Sequence, residues 1–173
     1  DVEDVEDVED VEDVEDVEVY TPGNPELHQR AIGLILKARK ERDKGLADNA
    51  QALRFQISAS ARAAKFSDIQ AISRLEDDVV ENRIPSTDKV LGIPPGLAED
   101  FERARAKEAS ICEDYRSGLT RIRDAYVSHL TTAVEKETNE KTKGNLLTQA
   151  ERAKDLDAWI ELLAPESGVG SPE

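Results

Sequence analysis

The chain has 173 residues, 38 acids against 23 Lys and Arg, a formal charge of −15, one cysteine and no methionine. Twelve of the acids fall in the first eighteen residues, so the remainder holds 26 acids and 23 bases, a net −3. A body so nearly balanced lacks the basic footprint of a nucleic-acid binder, and no apolar run approaches the eighteen or so residues that span a bilayer.

The opening, DVEDVEDVEDVEDVEDVE, is a low-complexity acidic repeat. A period of three makes no stripe on an α-helix, and along a strand the valines would alternate between faces. Only a conformer with three residues per turn sets Val2, Val5, Val8, Val11, Val14 and Val17 on one side. Such a charge block is expected to stay solvated, or to be ordered by a basic partner or by cations. Asp1, Glu3, Asp4 and Glu6, with Val2 and Val5, are therefore candidate contact residues, and weak, nonspecific Ca²⁺ binding is expected of the arm. An EF-hand loop is not, because the central glycine is missing. The lack of methionine makes signal-peptide removal one ordinary origin of this N-terminus, so a secreted or periplasmic, soluble protein is the expectation. Cys112 has no internal disulfide partner.

In TPGNPEL, Asn24 reads as an N-cap, Pro25 as the first helical residue and Glu26 as an acid suited to the helix dipole. Leu46, Ala50, Leu53, Ile57, Ser60 and Ala64 follow at 4-3-4-3-4 spacing, and Ile32 with Leu36 extends this seam upstream. Arg39 and Asp43 interrupt it, which predicts a bend or break near Gly45. Lys65-Phe66-Ser67-Asp68 reads as a turn, and Ile69, Ile72, Leu75 and Val79 stripe a second helix that stops near Asn82. RIPSTDKVLGIPPG, residues 83–96, is the one long connection.

Phe101, Ala104, Ile111, Tyr115, Leu119, Ile122, Tyr126, Leu130 and Ala133 then mark a second long helix, expected from Leu97 to a stop at Gly144-Asn145. A return helix buries Leu146, Ala150, Ala153, Leu156, Ile160 and Leu163, with Trp159 close by. The expected organisation is an arm at 1–18, a helical hairpin at 19–82, a linker at 83–96, a second hairpin at 97–164 and a flexible tail at 165–173. Gly45-Leu46 and Gly118-Leu119 fall at matching places in the two halves, which suggests duplication. The fold class expected is all-α: elongated antiparallel hairpins, each a long helix with a shorter return helix, packed in coiled-coil fashion. The return helices cannot cover such rods, so the uncovered halves must pair with each other or with another chain.

Catalytic constellations are hard to assemble from these residues. His28 sits in a helix first turn and His129 at a seam edge, neither beside an activated nucleophile. Cys112, next to Ile111, reads as a small buried apolar residue, and Glu108, Glu113 and Asp114 around it disfavour a thiolate. The Glu-x-x-His pairs of di-iron bundles and the glycine-rich phosphate loops are absent. No metal or cofactor is expected.

Three functional readings follow. The leading one is a non-enzymatic structural or protein–protein interaction protein, a helical rod or scaffold that forms an oligomer with another copy of itself or docks on another protein. Its contact residues would come from the seams: Leu46, Leu53, Ile57, Leu119, Tyr126 and Leu130. The second is a binding module whose acidic arm captures a basic protein or divalent cations. The third, an enzyme, would have to rest on Glu76, Asp77, Asp78 and Asp88 around the linker.

Overall fold

The computed structural model describes residues 22–63, 69–86 and 94–166. Among them every regular element is helical, and the protein is all-α. In order they are α1 (Pro25–Ala63), α2 (Ile69–Asp78), a 3₁₀ turn (Val80–Asn82), α3 (Pro95–Lys136), α4 (Glu140–Arg152) and α5 (Leu156–Leu163). The acidic arm with Asp1, Val2, Glu3, Asp4, Val5 and Glu6, the turn at Lys65–Asp68, Asp88 and the tail from 167 lie outside the described residues.

α1 starts where its cap dictates. The Asn24 side chain accepts a hydrogen bond from the Leu27 N–H at 3.1 Å, and Pro25 occupies the first helical position, where its missing N–H costs nothing. The chain just before this cap lies against α4 so closely that a Cβ on Gly23 would stand 2.8 Å from the Asn145 and Leu146 backbone. Only glycine fits there.

The helix then runs 39 residues without a break, about 58 Å at 1.5 Å per residue. The break anticipated near Gly45 is absent. Gly45 instead gives Ile111 of α3 room, with a virtual Cβ at an ordinary 3.5 Å from its side chain. Arg39 and Asp43 break the apolar stripe because this stretch of α1 makes polar contacts. Arg39 donates to the Ala164 carbonyl at 2.6 Å and pairs with Glu166, while Arg42 bonds both Asp43 and Glu166 at 2.9 Å. Leu36, expected in the seam, is 48% exposed, since it lies well off the stripe that holds Ala31 and Ile35.

α3 ends at Lys136, eight residues before the expected stop at Gly144, and α4 passes straight through Gly144-Asn145. The cause is Asn139. Its side chain accepts from the Lys141 and Thr142 N–H groups at 3.1 Å, and Glu137 accepts from Thr138 and Asn139 just upstream. A second break at Ala153–Asp155 divides the expected return helix, and Asp155 caps α5 through the Ala158 N–H.

Three contacts order the long helices: Leu27 and His129 share a cleft, Gly45 faces Ile111, and Asn49 donates to the Ala104 carbonyl at 2.9 Å. As α1 numbering rises, α3 numbering falls, so the two are antiparallel. Two apolar cores form along the pair. One joins Ala50, Leu53 and Ile57 of α1 to Leu75, Val79, Ile84, Leu97, Phe101 and Ala104. The other joins Ala31 and Ile35 to Leu119, Tyr126, Leu130, Leu146, Ala153, Trp159 and Leu163. Each large aliphatic or aromatic side chain so buried contributes about 1.5–3 kcal/mol. Cys112 falls between the cores and is exposed, contrary to the sequence expectation: one residue beyond Ile111, it has turned about 100° away from α1.

Candidate interaction face

α2, α4 and α5 lie against one side of the antiparallel pair. On that side Arg54 of α1 donates to the Val79 carbonyl, and Arg123 of α3 donates to that of Lys154. Among the described residues no helix covers the opposite side. Four clefts follow one another along it, each lined by α1 with its cap and by α3 alone. The first two share Leu27 and His129, and the last two share Gly45 and Ile111.

The α1 wall of this furrow is Leu27, Ala31, Leu34, Ala38, Glu41, Gly45, Asp48 and Ala52, in steps alternating four and three. This is heptad spacing on a second stripe of the same helix, and its small residues leave room for an incoming side chain. Thr132, His129, Ala125, Ile122, Gly118, Asp114, Ile111 and Lys107 of α3 answer it in reverse order. Leu34 is 45% exposed on this wall, whereas Phe55, 65% exposed, lines none of the four clefts.

Charge varies along the furrow. From Asn24 to Leu34 its rims carry Arg30 and Lys136, with Arg121 just beyond. None of these three makes an ion pair with another described residue. At the waist Glu41 and Asp114 stand beside Arg121. The far end mixes Asp48, which pairs with Lys44, and Asp100, which pairs with Arg103. Across the waist the Arg42 guanidinium lies 4.4 Å over the Tyr115 ring. Burial pulls its pKa down, but hydrogen bonds and charge from Asp43 and Glu166 outweigh that and leave it raised.

The seam residues singled out from sequence are placed elsewhere. Leu53 and Ile57 come together in the first core, and Leu119, Tyr126 and Leu130 in the second. Leu46 is half-buried between the two cores. All except Leu46 are occupied inside the chain, and Leu53 and Tyr126 reach the furrow only as parts of its floor. Glu76, Asp77 and Asp78 sit at the end of α2, and none of them lines one of these clefts. Among the described residues no group of three His, Cys, Asp or Glu side chains is placed to hold a metal ion, and no helix is long and apolar enough to cross a membrane.

Two residues that sequence reasoning passed over organise the site. Gln149 is fully buried. Its Oε1 accepts from the Asn24 N–H at 2.7 Å, and its Nε2 donates to the Asn24 carbonyl at 3.2 Å and to the Tyr126 hydroxyl at 2.7 Å. It thereby fixes the start of α1 to α4 and α3. Asn49 fixes α1 to α3 in the same way through Ala104. The available signal was a polar residue one step from a seam position, which hydrophobic periodicity treats as surface. No protein-family model, curated protein or solved structure matches this chain.

Proposed function

We propose that the chain is a non-enzymatic structural protein, a coiled-coil-like helical rod that joins a second copy through the open face of α1 and α3. The observation behind this reading is the furrow, walled by two heptad-spaced stripes and left uncovered by α2, α4 and α5, with Leu34 exposed on its α1 wall. A second copy suits it better than an unrelated helix because the waist is self-complementary. A twofold axis there can set Glu41 and Asp114 of one chain against Arg121 of the other. Closing one face on itself also removes apolar surface from water on both chains at once.

Two chains of charge −15 repel each other. The test therefore belongs at about 1 M salt, where the Debye length is about 3 Å. Sedimentation equilibrium of the full chain should give a dimer that dissociates at least tenfold more readily in the double variant Leu34→Glu, Ile122→Glu. A monomer at every concentration, or a dimer indifferent to both substitutions, would overturn the reading.

A further inference from the structure

We propose that the acidic arm, residues 1–18, docks in cis on the near half of the same furrow, between Asn24 and the waist. This goes beyond the self-association reading and shares with it only the face.

The arm is joined there. It leads through residues 19–21 into Pro22-Gly23-Asn24, and Asn24 lines the outermost cleft together with Lys136. Reach is ample, because the near half spans about 32 Å of α1 and a drawn-out chain covers that in about ten residues.

Charge selects the arm over the rest of the chain. The near half presents Arg30, Lys136 and Arg121, which pair with no other described residue, and the arm holds twelve carboxylates and no base. Glu41 and Asp114 end this basic stretch at the waist, which sets how far the arm extends.

The pattern of the repeat fits the section of the furrow. Leu27 and Leu34 on one wall and Ile122 on the other are apolar, with Arg30 beside them and Lys136 and Arg121 in the clefts on either side. A triplet repeat with three residues per turn puts its valines on one side and its acids on the other two, valines spaced about 9 Å. Leu27 and Leu34, two turns apart, are spaced about 10.5 Å. Valines can therefore meet the apolar walls while acids meet Arg30, Lys136 and Arg121. In this arrangement the arm and a second copy compete for one surface, and the arm is a built-in brake on assembly that salt releases.

The experiment uses the full chain with Cys112→Ser and Val14→Cys, a nitroxide on the new thiol, and isotopically labelled Ile, Leu and Val methyls. At low salt the Leu34 and Ile122 methyl signals should lose most of their intensity while those of Leu147 and Val80, exposed elsewhere, stay sharp. At about 1 M salt, with charges screened, the lost intensity should return. Adding Arg30→Glu and Arg121→Glu should restore it at low salt with Trp159 fluorescence unchanged, which certifies the fold. Sharp Leu34 and Ile122 signals at low salt, or broadening as strong at Leu147, would overturn the proposal. So would broadening that appears as strongly when the nitroxide and the labelled methyls are on different chains. A monomer that shows the broadening keeps this proposal and loses the dimer. A dimer without it does the reverse.

Discussion

Gln149 shows how one buried amide can hold three helices. Its carbonyl and amino groups are both satisfied, two of the three bonds going to the backbone of Asn24, the residue that caps α1. Replacing it with Leu keeps the volume but leaves the Asn24 N–H without that acceptor in a tight interface. Gln149→Leu should lower stability by about 1–3 kcal/mol, whereas Tyr126→Phe, which removes the hydroxyl that Gln149 donates to and leaves both Asn24 bonds in place, should cost about 1 kcal/mol. Urea unfolding followed by the fluorescence of Trp159, whose ring lies 5.0 Å from that of Tyr126 at a tilt of 51°, measures both. Equal losses would place the energy in the Tyr126 hydroxyl instead. His28 gives a pH signature one turn away. Burial lowers its pKa below the ordinary 6.5, so the folded chain takes up the proton later than the unfolded chain on acidification. Its contribution is complete above about pH 6.5 and is lost as pH falls through the depressed folded value. His28→Gln should flatten the stability profile in that window, and an unaltered profile would assign the slope to other groups.

At the level of elements, ends are set by side-chain caps more than by glycine. Asn24 was legible because it stands before Pro25 and Glu26, three signals in a row. Asn139 was not, because Gly144-Asn145 a few residues later resembles a stop more strongly. A glycine inside a helix costs only about 1 kcal/mol relative to alanine, and the remaining residues of α4 carry it through. Asn139→Ala should cost about 1 kcal/mol, and Asn139→Asp, which keeps an acceptor, much less. If both variants unfold at the same urea concentration as the parent chain, the break between α3 and α4 does not depend on this cap. The same contrast explains Gly45. A break in hydrophobic periodicity reads as a break in the helix, but Arg39 and Arg42 are polar because they hold the Ala164 carbonyl and Glu166. Sequence records the change in chemistry, and the partner 124 positions away is visible only in three dimensions.

For the molecule as a whole, the large apolar residues announced themselves. Phe101, Leu119, Tyr126, Leu130 and Trp159 are all buried, and two long helices with shorter companions were evident from spacing alone. The open face was not, because Ala31, Ala38, Gly45 and Ala52 carry little hydropathy and Glu41 and Asp48 cancel what there is. A stripe of small and charged residues looks like ordinary surface until its α3 counterpart is set beside it. The proposed joining of copies through this face can be measured directly. Pulsed electron spin resonance at high salt tests it, with a single nitroxide at Ser128→Cys on the furrow or at Leu147→Cys on the far side, both in the Cys112→Ser chain. A well-defined distance between copies for the residue 128 label, about 32 Å because the waist lies about ten residues away along α3, and a longer one for residue 147 is the expected result. The reverse order, or no distance from either label, would contradict it.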